Sequence, residues 1–446
     1  MGGRPARRIA DLRRRVNLSA AARGMTGAEK IIARASGVAS VRAGDIVYPN
    51  PDMVMIHDNM VPAVKRALDS LGIDSLAEPE KVVMVTDHEV LYGSERAAQY
   101  GSLNRGAAKR WKVGRFFDVG RGGHGHVFPM ETGMVLPGMF YFDNDRHCTN
   151  AGAIGAVGFR MGMEITRVLA TGVNWIMVPK TLRLTLRGRL APGVYTRDLG
   201  AHIGGLISRK QLPFDLDYRI LEFAGDLDSF GLAARVSLCS APTELGAYGV
   251  FFPPSAEILA HARKVAQQAF EPVRSDAGAE YEAQAEIDVA ALEPQVSLPG
   301  GVQNAVPVSE VAGTPVDHAF IGSCASGMYE DIVAAAGFLA GRRIADGVRL
   351  FVVPGSEQTT HRLAADGLMQ VLLEAGAVLL PAGCGPCNDA VVGPVDAGEV
   401  SISTATNNAA GRFGARDARL YLASPATVAA SAVAGRIVDP RAAARA

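Results

Sequence analysis

Short runs of β-branched and aliphatic residues recur along the chain, each closed by turn-forming residues. They are "KVVMVTDHEV" (81–90), "VRLFVVPGS" (348–356), "AGAVLLPAG" (375–383) and "ARLYLASP" (418–425). Near-continuous apolar runs of this length fit strands buried on both faces. Between them, "YEDIVAAAGFLAGRR" (329–343) and "TTHRLAADGLMQVLLEAG" (359–376) carry helical spacing. The first has acidic residues in its opening turn and Arg342 and Arg343 in its expected last turn, which suits the helix dipole. Strand, turn, helix, strand predicts an α/β fold, in which functional groups gather where strands end and helices begin.

A chain of 446 residues exceeds one ordinary core, so two to four domains are expected. Two Gly/Pro-rich seams, "TLRGRLAPGVYTRD" (185–198) and "EPQVSLPGGVQNAVPVSEVAGTP" (293–315), place them near 25–188, 189–300 and 301–446. The first 24 residues, rich in Arg and Ala, share the composition of a transit peptide; they read more simply as a disordered extension before "MTGAEKII". Lys plus Arg and Asp plus Glu both number 45, so no global charge attracts nucleic acid or a membrane surface. No run of eighteen uncharged apolar residues predicts a spanning helix.

The five cysteines, Cys148, Cys239, Cys324, Cys384 and Cys387, are odd in number and unevenly spaced. That is no disulfide framework, and it points to a reducing, cytoplasmic setting. Three of them sit in two turns, "FIGSCASGMYED" (320–331) and "PAGCGPCNDAV" (381–391). A CxxC alone would suit a redox pair, but such a pair needs no third thiol. A structural zinc site wants four ligands, and no His lies near Cys384 or Cys387 in sequence. Three thiolates can instead hold an iron–sulfur cluster whose remaining iron stays open as a Lewis acid. Gly322, Gly383, Gly385 and Pro386 would let backbone N–H groups approach the sulfurs. Cys148 and Cys239 read as ordinary buried thiols.

The C-terminal half carries, in order, "FIGSCASGMYEDI", "VVPGS", "AGCGPCN", "STATNNAAGR" and "LASPATVAASAVAGRIVD". The N-terminal half carries "MVTDHEV", "HGHVFPMETGMVLPGM", "DNDRHCTNAGAIGAVGF", "ATGVNWIMVPKTLRL", "APGVYTRDL" and "ILEFAGDLDSFGLAARVSLCSAPTELGA". Together, from about residue 25 to the end, these segments resemble the aconitase / 3-isopropylmalate dehydratase large-subunit family. The resemblance implies a three-domain α/β/α large subunit with a [4Fe–4S] cluster at the domain interface, held by Cys324, Cys384 and Cys387. It implies that the family's swivelling fourth domain is a separate small subunit, which supplies a serine base and further arginines. It implies a hydro-lyase that removes water from a hydroxy acid and often returns it at the neighbouring carbon. The Asp87–His88 pair matches the residues that protonate the departing hydroxyl. His126 and the Asp145–His147 pair match a second inward-pointing set, while His57 and Glu244 match positions lining the cluster side.

The departures fall on substrate recognition. The family has Asp-Ser-His where this chain has Asp145-Arg146-His147, and Cys-Thr-Asn-Ser where it has Cys324-Ala325-Ser326-Gly327. Ser240 replaces an Asn after Cys239, and Thr406-Asn407 replaces an Asn-Arg pair that grips a carboxylate; Arg412 remains. Losing one arginine removes a bidentate clamp, and gaining Arg146 places a cation elsewhere. The expected substrate is therefore a substituted malate or phosphonate-like analogue rather than citrate or 3-isopropylmalate. The alternatives are a cluster-dependent lyase of another type and a non-catalytic iron–sulfur sensor or RNA-binding protein. The lack of a basic stripe counts against RNA, and both retained Asp–His pairs count against a dead enzyme. His124, His202, His261, His318 and His361 are expected to be structural.

Overall fold

The computed structural model describes residues 24–388 and 391–443. The expected extension, residues 1–24, therefore lies outside the described residues except for Gly24, which bridges to Ala279. Helix α1 (Gly27–Ser36) starts at Thr26, whose hydroxyl accepts from the Glu29 N–H while the Glu29 carboxylate accepts from the Thr26 N–H. This reciprocal cap satisfies two N–H groups that the helix itself leaves unpaired.

Three sheets, parallel in all but one margin, carry the fold. The first contains β1 (Met53–His57), β2 (Val82–Val85), β3 (Arg115–Phe117), β4 (Phe140–Asp143) and β5 (Val157–Arg160), in the order β3-β2-β1-β4-β5. Every residue of β1 and β2 is buried, as expected for central strands covered on both faces. The second holds β6 (Lys180–Arg187), β7 (Arg219–Gly225), β8 (Gly249–Phe251) and β9 (Ala283–Asp288), in the order β8-β7-β6-β9. The third holds β10 (Gln295–Ser297), β11 (Ala305–Pro307), β12 (His318–Ile321), β13 (Arg349–Val352), β14 (Val378–Leu379), β15 (Val400–Ser403) and β16 (Arg419–Leu422). Its order is β11-β10-β16-β15-β12-β13-β14, antiparallel only where β10 meets β11 and β16. The first sheet ends at Arg160 and the second begins at Lys180; the second ends at Asp288 and the third begins at Gln295.

One apolar cluster joins Met55 and Val85 of the first sheet, Leu184 and Phe223 of the second, and Cys324 and Met328 beyond the third. Each fully buried Leu or Phe contributes about 2 kcal/mol, so separating the sheets would expose the floor on which the cysteine turn rests. Helices α2 (Thr196–Ser208) and α3 (Leu232–Glu244) pack on each other, and α4 (Tyr329–Leu339) buries Ile332, Ala335 and Leu339 in the third sheet's core.

Three local expectations need correction. The segment 359–376 is not one helix but two, α5 (Glu357–Ala365) and α6 (Leu368–Ala375), because Gly367 has φ +72°. Helix α4 ends before Arg342 and Arg343, since Gly341 turns the chain with φ +68°. The run "AGAVLLPAG" yields only the edge strand β14, with Val378 46% exposed. Among the described residues no helix is long and apolar enough to cross a membrane.

Candidate active site

Strand register brings the acid–base residues together. His57 ends β1 opposite Val85 of β2, and Asp143 ends β4 opposite Met55. Asp87 and His88 follow β2 directly, so all four stand at one edge of the first sheet. Asp87 is fully buried; its carboxylate lies 2.9 Å from His57 Nδ1 and 2.7 Å from His88 Nδ1, and it accepts the Gly125 N–H at 2.8 Å. His57 Nε2 in turn lies 3.3 Å from Asp143 Oδ1 and 3.0 Å from His126 Nε2. Burial alone would push the His57 imidazole down, but carboxylates at both ring nitrogens hold it well above its ordinary value. His88 is raised well above its ordinary value too, against burial, by Cys384, Asp87 and Asp58. A raised imidazole keeps its proton near neutrality, the condition for an acid that delivers one to a leaving oxygen.

A second pair stands beside it. The Asp145 carboxylate caps the turn Arg146–Ile154, accepting the His147 N–H at 2.9 Å and lying 3.2 Å from His147 Nδ1. His147 Nε2 reaches Glu244 Oε1, at the end of α3, at 2.8 Å. Burial opposes protonation here as well, yet the two carboxylates lift His147 to about 9. His126 Nε2 lies 3.1 Å from Asp143 Oδ2. Among the described residues its Nδ1 has no hydrogen-bond partner.

The thiols arrive from the third sheet. Cys324 lies just past β12, Cys384 and Cys387 past β14, and all five cysteines are free. Ser323, before Cys324, has φ +68°, a strained conformation for a residue with a Cβ. Gly383, before Cys384, has φ +157° and carries no Cβ because one would stand 2.7 Å from the Asp87 carbonyl oxygen. The Cys384 N–H donates to that same oxygen at 2.8 Å, tying the cysteine turn to the acid–base strand. Burial, then the neighbouring thiols of Cys387 and Cys384, pushes Cys324 well above the ordinary thiol range. Burial takes Cys384 up to about 12 although His88 opposes it. Cys387 is lowered despite burial, chiefly by Arg412, whose Nη2 lies 3.9 Å from the sulfur, and by Thr406, whose hydroxyl lies 3.6 Å away.

The other expected substrate residues surround these groups unevenly. Arg146 is half exposed, with Nη1 3.7 Å from Glu244 Oε2. Ser240 and Ser326 are buried; Ser240 lies 3.5 Å from Arg197 Nη1, and Ser326 lies 3.5 Å from Ser237. Asn407 is partly buried, with its side-chain oxygen facing the Ala409 N–H at 3.5 Å.

Four residues that sequence reasoning passed over belong to the site. Asp143 bridges His57 and His126, and Asp58 accepts the His88 N–H at 3.1 Å. Arg197 is buried, and it donates to Ser240 and to the Ala405 carbonyl. His124, expected to be structural, stands with Nε2 3.2 Å from Cys384 Sγ. The available signals were the repeated Asp of "DND" and the paired imidazoles of "HGH" in a glycine turn.

Tetrahedral zinc holds its sulfurs about 3.8 Å apart, from Zn–S bonds near 2.3 Å. Among the described residues four His, Asp and Cys groups converge within 4.8 Å, one of them His124, His126 and Cys324, while Cys384 and Cys387 belong to none of the four. Three buried, free thiols bordered by Arg412 and the Thr406 hydroxyl are donors of the kind that a polynuclear iron–sulfur centre would use.

Buried imidazole–carboxylate pairs facing three thiols, at the ends of parallel strands, define an α/β enzyme of acid–base chemistry. The chain belongs to the aconitase family: the profile described as Aconitase family (aconitate hydratase) matches residues 29–315 and 309–435. Membership places it among the hydro-lyases. It is 39% identical over 420 residues to a 3-isopropylmalate dehydratase large subunit of Methanopyrus kandleri, covering 94% of this chain and 99% of that one. It is 38% identical over 419 residues to the homoaconitase large subunit of Thermus thermophilus, covering 94% and 97%. The solved aconitase X of Thermococcus kodakaraensis aligns with 80% of this chain and 84% of its own at TM-score 0.47 and 10% identity, a likeness too loose to bear on the site.

Proposed function

We propose that this chain is the large subunit of an iron–sulfur hydro-lyase acting on a hydroxy-carboxylic acid, with Cys324, Cys384 and Cys387 as the ligands of a [4Fe–4S] cluster. The observation that carries this is the Cys384 N–H bonded to the Asp87 carbonyl, which fixes a thiol against the strongest acid–base pair of the site. When bound, such a cluster supplies a Lewis-acidic iron for the substrate's hydroxyl and an adjacent carboxylate.

The chain's own residues do the remaining work. His88, oriented by Asp87 and Asp58, delivers a proton to the departing hydroxyl. His147, kept charged by Asp145 and Glu244, supports the negative charge that builds on the substrate carboxylate. Arg412, beside Cys387, and Arg146, beside Glu244, both act on the Glu244 carboxylate and take the anionic ends of the substrate. The relatives are named for 3-isopropylmalate dehydratase and homoaconitase. The placement of Arg146 favours a malate bearing a further anionic substituent, such as a phosphonate. The same relatives are named large subunits, so a separately made small subunit would bring the base that takes the substrate proton.

The test is anaerobic purification with metal analysis. A brown protein with close to four irons per chain, colourless after Cys384→Ser, supports the reading; a colourless chain with one tightly bound zinc would sink it. Mixing the loaded chain with its small subunit and 2-substituted malates then assigns the substrate.

A further inference from the structure

His124 has a defined protonation pattern. Its Nδ1 accepts the His126 backbone N–H at 3.2 Å. A ring nitrogen that accepts cannot also carry hydrogen, so the neutral ring holds its proton on Nε2. Asp87 Oδ2 lies 3.4 Å from the same Nδ1, but His57 and the Gly125 N–H already supply it with donors. The protonated Nε2 points at Cys384 Sγ, 3.2 Å away.

The ring is also held in place. His124 is 3% exposed and its own N–H donates to the Gly355 carbonyl at 2.8 Å. One residue earlier, Gly123 forms an antiparallel bridge with Ser356. Its φ is +107°, and a Cβ there would stand 2.5 Å from Ser356 Cα. The loop carrying His124 is thereby clamped to the turn after β13, beside the cysteine turn.

We propose that His124 is a positioning residue of the cysteine site, its Nε2–H donating a hydrogen bond to the Cys384 sulfur. The consequence rests on the reading of Cys384 as a cluster ligand. An N–H···S bond draws negative charge from the thiolate and so favours the more reduced state of the iron it binds, which raises the reduction potential. His88 also faces Cys384, so this sulfur lies between two imidazoles. His124 differs from His88 at Nδ1, which accepts a backbone N–H where that of His88 faces the carboxylates of Asp87 and Asp58.

Two measurements decide the matter. In the metal-free full chain, ¹⁵N NMR of labelled histidines is expected to show His124 protonated at Nε2, with that proton's resonance moving in Cys384→Ala. A proton on Nδ1, or a resonance indifferent to Cys384→Ala, overturns the hydrogen bond whether or not iron ever binds. In the iron-loaded chain, EPR-monitored redox titration is expected to give His124→Leu a lower midpoint potential than wild type at equal iron content. His124→Gln, whose amide can still donate, is expected to fall between them. Equal potentials in wild type and His124→Gln together with His124→Leu overturn the tuning role. Should His124→Leu not fold, an unshifted potential and unshifted Fe–S(Cys) Raman bands in His124→Gln, relative to His124→Ala, do the same. A chain that takes up no iron refutes the cluster reading alone, since the first measurement still stands.

Discussion

His147 Nε2 lies 2.8 Å from Glu244 Oε1, a contact between residues 97 positions apart that joins the edge of the first sheet to the end of α3. With Asp145 on the other ring nitrogen, it lifts His147 to about 9 from an ordinary value near 6.5. A folded value above the unfolded one stabilises the protein fully below about pH 6.5, and that contribution is lost as pH rises through 9. It is on the order of 3 kcal/mol. Turnover is expected to fall above pH 9 as His147 loses its proton. Glu244→Gln removes one cause of the lift, so the basic limb of the kcat profile should move to lower pH; a limb that stays put would detach His147 from catalysis.

His88→Ala is expected to reduce kcat by about a hundredfold or more, the scale of a positioned acid. Because His88 also faces Cys384, iron content must be measured beside the rate. A full complement of iron with near-normal turnover would show that another group protonates the leaving hydroxyl.

Arg146 separates binding from chemistry. It is half exposed and holds only a 3.7 Å contact to Glu244, so little of the fold depends on it. Arg146→Ser is expected to raise KM for the native substrate far more than it lowers kcat or iron content. Adding Asn407→Arg should begin to admit isopropylmalate-like acids. Unchanged KM in the single variant would remove Arg146 from the pocket.

Asp143→Asn tests the buried charge balance. His57 is fully buried with Asp87 on one nitrogen and Asp143 on the other, and truncating a buried pair of this kind costs about 3 kcal/mol or more. Urea unfolding at pH 7 is expected to show that loss. A variant as stable as wild type would mean that His57 is neutral in the folded chain.

What the sequence made legible were the residues whose chemistry is unusual in a turn. Three cysteines among glycines, two Asp–His pairs and the alternation of strands with helices are local signals. Asp143 was not legible, because "DND" does not say which carboxylate faces inward; strand β4 ending opposite Met55 decides it. His124 was missed for a related reason: its partner, Cys384, is 260 residues away and reaches it only once the first and third sheets dock. The helix break at Gly367 was written in the sequence as Asp-Gly, but the apolar spacing on both sides outweighed it.

The bond from the Cys384 N–H to the Asp87 carbonyl has a consequence for biogenesis. Ribosomal synthesis releases Asp87, His126 and His147 long before Cys384 and Cys387, so the acid–base half can fold while its sulfur half is still unmade. During that interval the carbonyl that awaits Cys384 faces water, and the buried imidazoles have no roof. A cluster of the kind proposed could therefore be assembled only after Cys384 and Cys387 emerge, and a nascent chain stalled before Cys384 would lack two of its three thiols.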